Sequence, residues 1–250
     1  MRDMEDQTAV VTGSGSGIGR AIALLLASRG ARVAVADLDP AGGADTVRLI
    51  EKQGGDSAYF KVDVGDPASV LELKDGVIGK FGVPTVIVNN AGWDKGMPFL
   101  ETTPEFWVKV VNINYLGTVA MCHTFLPEMI AGEIRGHVVN IGSDAGRVGS
   151  MGEAVYAGAK GGVIAFTKSL AREVARNGIN VNCVCPGPTD TPLFFEQPEK
   201  VRDAVVRAIP FKRLAKPTEL ASAVAFFASD DASFITGQVL SVSGGLTMVG

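Results

Sequence analysis

Two residues four apart carry the first chemical signal in this 250-residue chain: Tyr156 and Lys160, in the run Tyr156-Ala-Gly-Ala-Lys160. The segment from Glu153 to Ala175 has the alanines and spaced apolar residues of a helix, so positions i and i+4 share one face. An ammonium beside a phenol favours the phenolate, whose unperturbed pKa is about 10, and this makes Tyr156 a candidate general acid or base near neutral pH. Thirteen residues upstream, Ser143 closes the strand-like run His137–Ile141 and can donate a hydrogen bond at the same place. A tyrosine and a lysine at this spacing also occur by chance, one half-buried and the other solvated, so the weight of the pair depends on the elements around it.

The first of those elements is a phosphate cradle. Thr8–Thr12 is a short β-branched apolar run, the mark of a buried strand, and Gly13-Ser-Gly-Ser16-Gly17-Ile18-Gly19 leads from it into the helical run Arg20–Arg29, ended by Gly30. Absent side chains let backbone approach a pyrophosphate, and the helix N-terminus offers free N–H groups and partial positive charge. A second strand, Arg32–Asp37, ends 20 residues after Gly17 in a carboxylate able to bond both ribose hydroxyls of an adenosine. Asp37 also repels a 2′-phosphate, and Leu38 follows it where an arginine would welcome one, so NAD is expected over NADP.

Strand and helix patterns then alternate. Helices are expected at 41–53, 66–81, 103–130, 153–175 and 218–228, and strands at 57–62, 83–89, 137–141, 179–184 and 238–242. This alternation specifies a single-domain α/β fold over residues 1–250, a Rossmann-type doubly wound parallel sheet with helices on both faces. Asp63 and Val64, at the end of the third strand, can bracket an adenine by hydrogen bond and apolar contact. Asn89-Asn90-Ala91-Gly92 ends the fourth strand, where open α/β sheets bind ligands. Asn114 falls in the middle of a helical pattern, where an amide signals a local backbone bond or an irregular turn.

Bulk properties exclude other classes. A net charge of −4 and a pI near 5.3 give no electrostatic case for nucleic acid or an anionic membrane. The opening residues MRDMEDQ lack a basic start and apolar core, and no apolar run approaches the roughly 18–20 residues that span a bilayer. A cytoplasmic location is expected. Cys122, Cys183 and Cys185 are read as reduced and structural, no metal site is expected, and His123 and His137 are read as packing residues.

Taken in order, Thr12-Gly13-x-x-x-Gly17-Ile18-Gly19, Asp63, Asn89-Asn90-Ala91-Gly92, Asn114, Ser143, Tyr156-x-x-x-Lys160 and Pro186-Gly187 resemble the short-chain dehydrogenase/reductase family over essentially the whole chain. The resemblance implies that Tyr156 exchanges the proton of a hydroxyl or keto group while hydride passes to or from nicotinamide. It implies that Lys160 holds the nicotinamide ribose, that Ser143 positions the substrate oxygen and that Asn114 links Lys160 through water to solvent. Pro186, Gly187, Thr189 and Thr191 resemble the segment that holds the nicotinamide carboxamide. A homotetramer is likewise implied, with 103–130 and 153–175 as interface helices.

The substrate is expected to be closed in by a loop at about 188–210 that carries Phe194 and Phe195, with Trp93, Asp144 and Met151 adding to the wall. Adjacent aromatics on a loop suit an apolar cover, which points to a hydrophobic, ring-bearing secondary alcohol. Several segments, Asn90–Asp94, Ser143–Gly149 and Cys185–Thr191 among them, are similar to the 2-hydroxycyclohexanecarboxyl-CoA dehydrogenase branch and to cyclohexanol and 1-(4-hydroxyphenyl)ethanol dehydrogenases. A free ring alcohol is favoured over the CoA thioester, which would need a basic entrance; Lys95 and Arg147 are the cations at hand. Arg147 discriminates, because its other role is an ion pair with Asp144 or Glu153. A 3-oxoacyl carrier-protein reductase is a further alternative, and Asp37 argues against its usual NADPH.

Overall fold

The computed structural model of the chain describes residues 3–195 and 199–248. Its centre is a seven-stranded sheet ordered β3-β2-β1-β4-β5-β6-β7, parallel throughout. The strands are β1 (Thr8–Thr12), β2 (Arg32–Asp37), β3 (Ser57–Lys61), β4 (Val86–Asn89), β5 (Gly136–Ile141), β6 (Ile179–Pro186) and β7 (Val239–Val242). Every residue of β1, β4 and β5 is buried, because helices cover both faces of the sheet and no strand needs a polar side.

One face carries α1 (Gly17–Ser28), α2 (Pro40–Lys52) and α10 (Pro217–Phe227), whose Ile22, Leu26, Ile50, Leu220 and Val224 form one apolar cluster with the sheet. The other carries α3 (Pro67–Phe81), α4 (Pro104–Val111), α5 (Gly117–Ala131) and α7 (Ala154–Val174), with Leu73, Phe125 and Met129 in a second cluster. Capping sets several starts: Asp39 and Asp66 each accept backbone N–H groups ahead of a first-turn proline, and Thr103 caps α4. The expected helix over 103–130 is one helical run interrupted by a π-helical turn, Asn112–Leu116.

The segment expected as a loop at 188–210 contains two short helices, α8 (Pro192–Phe195) and α9 (Glu199–Ala208). Pro192 occupies the first helical position, where a missing N–H costs nothing, so proline here starts a helix. A four-residue helix, α6 (Ala145–Val148), follows β5. Among the described residues no helix is long and apolar enough to cross a membrane.

Candidate active site

The chemistry gathers where β5 hands over to α7. Lys160 is almost fully buried, at 2% exposure, and its Nζ donates to the Ile141 carbonyl at the end of β5 (2.9 Å). The same ammonium lies 5.8 Å from the centre of the Tyr156 ring one turn earlier. Ser143 accepts the Ala145 N–H on its Oγ (3.1 Å) and hydrogen-bonds the Tyr156 hydroxyl. The structure thus brings the three side chains together.

The electrostatics differ from the expectation. Burial is the largest influence on Tyr156 and raises the phenol pKa above its ordinary 10.0; Ser143 pulls it down, and the carboxylates of Glu153 and Asp94 push it further up. Burial also pushes the Lys160 ammonium down to about 8, opposed by charge on Cys183 and Cys185. In the chain alone, then, desolvation outweighs the hydrogen bond from Ser143, and Tyr156 holds its proton near neutral pH.

Asn114 sits in the π-helical turn, fully buried. Its Nδ2 donates to the carbonyls of Val110 (3.0 Å) and Trp93 (2.6 Å), and its Oδ1 accepts the Trp93 N–H (3.2 Å). The awkward amide thus clamps the chain just beyond β4. Asn114 and Lys160 converge there: a Cβ added to Gly92 would lie 2.9 Å from Asn114 Oδ1 and 3.5 Å from Lys160 Nζ. Thr12, at the end of β1, ties the same segment down by accepting the N–H groups of Asn90 and Ala91 on Oγ1 (both 3.0 Å). The Asn90 amide returns the contact by donating to the carbonyls of Thr12 (2.9 Å) and Gly13 (3.1 Å).

The glycine turn has the shape of a dinucleotide cradle. Gly13 and Gly17 adopt positive φ (63° and 51°), a region open to glycine. Ser16 caps α1 without a side-chain bond, so the first N–H groups of that helix are left for an anion. A Cβ at Gly17 would meet Thr191 Cγ2 at 3.5 Å, which brings the segment after β6 over the cradle. At the ribose corner, Asp37 accepts the N–H groups of Gly15 (2.6 Å) and Asp39 (2.9 Å) on its two oxygens. Arg20 shares that corner and spends its donors on the carbonyls of Gly15 and Gly42 and on Thr46 Oγ1. These residues fit a nicotinamide dinucleotide.

The remaining candidates are placed as follows. Asp63 bonds the Gly65 N–H through Oδ1 (2.9 Å) at the exposed end of β3, and buried Val64 packs on Gly117. Beyond Pro186, Gly187 pairs with Val242, and Thr189 Oγ1 donates to the Gly187 carbonyl (2.9 Å). Asp144 is buried against Gly187; one carboxylate oxygen accepts from Ser241 Oγ, which in turn receives Arg147 Nη1 (2.6 Å). Phe194 is buried and half-exposed Phe195 packs edge-on against it at 5.8 Å, with Arg202 over the outer ring. Trp93 turns toward α4, contacting Phe106 and sitting 3.8 Å below Lys109, while Met151 stands fully in solvent. Neither lines the narrow, closed crevice beside Tyr156, whose walls include Asp94, Met97, Phe99, Phe106, Glu153 and Val155.

Sequence reasoning did not single out Asp94 or Glu153 as neighbours of Tyr156, nor Arg20 as a prop of the ribose corner. Arg20 had a signal, a cation one residue past the glycine motif. Glu153 also had one, its i, i+3 spacing to Tyr156; Asp94 had none, because nothing along the chain reports which carboxylate becomes buried.

The comparisons agree with this geometry. Residues 13–247 match the family described as Enoyl-(Acyl carrier protein) reductase. The rat (3R)-3-hydroxyacyl-CoA dehydrogenase is 41% identical over 248 residues, covering 96% of each chain. The cis-4-hydroxycyclohexanecarboxylate dehydrogenase of Sinomonas cyclohexanicum is 42% identical over 246 residues, covering 98% of each. A putative 2-deoxy-d-gluconate 3-dehydrogenase of Agrobacterium tumefaciens, solved with bound NADP, superposes with a TM-score of 0.91 at 32% identity, over 98% of this chain and 97% of that one. With the Tyr156, Lys160, Ser143 and Asn114 constellation set beside a dinucleotide cradle, the chain belongs to the short-chain dehydrogenase/reductase family of oxidoreductases, which bind a nicotinamide cofactor and act on hydroxyl and keto groups.

Proposed function

We propose that this chain is an NAD-dependent oxidoreductase that interconverts a secondary hydroxyl and a ketone on a hydrophobic cyclic or aryl-alkyl substrate. The observation that carries the reading is the crevice beside Tyr156, walled by Met97, Phe99, Phe106 and Val155. Such walls suit hydrocarbon. The relative that acts on hydroxycyclohexanecarboxylate supports a ring alcohol. Asp37 supports NAD, since its carboxylate, held by Gly15 and Asp39, leaves no room in charge for a 2′-phosphate.

When bound, the nicotinamide supplies the hydride acceptor or donor. The chain handles the proton. Tyr156 Oη takes the hydroxyl proton in oxidation and returns it to the carbonyl oxygen in reduction, while Ser143 Oγ donates to that oxygen as charge develops on it. Lys160, anchored on the Ile141 carbonyl, keeps a cation at the site whose field favours the phenolate form needed for oxidation.

A second reading, an acyl-CoA thioester substrate, draws on the rat relative. Arg147 weighs against it, because its Nη1 is engaged by Ser241 on β7, the edge strand. We also propose a homotetramer, supported by exposed apolar side chains along α4, the π-helical turn and α5 (Trp107, Val108, Leu116, Ile130). The deciding experiment is NADH formation from cyclohexanol, 1-phenylethanol, 1-(4-hydroxyphenyl)ethanol and 2-hydroxycyclohexanecarboxyl-CoA, with NADP run in parallel. Turnover of a free ring alcohol with NAD is expected. Turnover of the thioester alone, or with NADP alone, would reverse the corresponding part of the proposal.

A further inference from the structure

Asp94 follows Trp93 just past the end of β4, and its side chain is about nine-tenths buried. The backbone N–H of Lys95 bonds its carboxylate, but Oδ2 is buried without a partner. An ionised oxygen sealed from water without a donor is costly, so a structure that keeps one has a donor to come. Among the described residues none donates to Oδ2. Among the side chains lining the crevice with Asp94, the Thr102 hydroxyl already donates to the Phe99 carbonyl (2.7 Å). Tyr156 is committed to the reacting oxygen. The charged neighbour is Glu153, which repels a second anion and cannot donate while ionised. The other walls, Met97, Phe99, Phe106 and Val155, are apolar and make burial of a cation expensive.

We propose that Asp94 accepts a hydrogen bond from a second, uncharged hydroxyl of the substrate, so that the preferred ligand is a cyclic secondary alcohol bearing a further hydroxyl group. The inference rests on the reading above that the crevice receives a ring alcohol, and it narrows that class. One hydroxyl meets Tyr156 and Ser143; the ring parts the apolar walls of the closed crevice; the other hydroxyl donates to Oδ2. Asp94 is then a specificity-determining residue that touches substrate at a distance from the reacting carbon.

The test is the ratio of kcat/KM with NAD for cyclohexane-1,2-, 1,3- and 1,4-diols to that for cyclohexanol, in the unaltered enzyme and in Asp94→Asn and Asp94→Leu. A hydrogen bond to a buried carboxylate predicts that the best diol exceeds cyclohexanol by roughly tenfold or more, beyond the doubling a second reactive hydroxyl brings by itself. Asp94→Leu should return the ratio to about that doubling, and Asp94→Asn should fall between. A merely structural role would lower both substrates together and leave the ratio alone. If cyclohexanol is oxidised and no diol gains on it, the Asp94 assignment fails while the ring-alcohol reading stands. If no ring alcohol is oxidised at all, the reading beneath it fails as well. The comparison in the unaltered enzyme decides the matter even where a variant does not fold.

Discussion

At the scale of single residues, Tyr156 lies among opposing influences. Burial and the carboxylates of Glu153 and Asp94 favour the neutral phenol, while Ser143 favours the phenolate. Lys160, itself desolvated to a pKa of about 8, is a cation under strain. Such groups are useful because a small change in their surroundings moves a proton. Tyr156→Phe should lower kcat by roughly 10²- to 10⁴-fold, the range of general acid–base catalysis, while NADH still binds. Fluorescence titration of the variant with NADH checks the second half; lost binding would mean that the phenol is chiefly structural. The convergence of Tyr156, Lys160 and Ser143 was legible from type and spacing. The direction of the tyrosine shift was not, because desolvation depends on which residues fold around the ring.

At the scale of elements, the site is a meeting of chain ends. The π-helical turn between α4 and α5 lets Asn114 leave the helical register and clamp Trp93, and the amide in mid-helix was the visible sign of it. Gly92 permits the meeting, since a Cβ there would press on Asn114 Oδ1 and touch Lys160 Nζ. Gly92→Ala should therefore lower kcat/KM by up to about 100-fold through displacement of these groups. Its φ is not in the left-handed region, so melting temperature should move little. Steady-state kinetics beside a thermal melt check this; a stability loss without a kinetic one would contradict it. The segment expected as a loop at 188–210 holds two short helices, and the first of them starts at Pro192, where a proline is tolerated.

At the scale of the whole molecule, strand order places the site. The sheet reverses direction of growth between β1 and β4, so the Gly13–Gly19 turn and the Asn90–Gly92 turn diverge and leave a crevice between them. Apolar side chains remain exposed on α4 and α5 and, near the C-terminus, at Phe226, Phe234, Leu240 and Met248. The proposed homotetramer would cover such surfaces, and light scattering should give four times the 26.0 kDa of the chain. A monomer would leave this apolar area unexplained.

The sequence by itself determined the order of strands and helices, the single parallel sheet and the candidate residues Tyr156, Lys160 and Ser143, because periodicity, glycine turns and side-chain chemistry are local properties. It also marked Asn114 as irregular. Only the tertiary structure decided that Trp93 leans on α4 and Met151 on water. It alone paired Arg147 with Ser241 and sealed Asp94 beside Tyr156 with Oδ2 lacking a partner. Exposure, charge burial and unmet hydrogen bonds are created when distant segments pack, and no spacing along the chain encodes them.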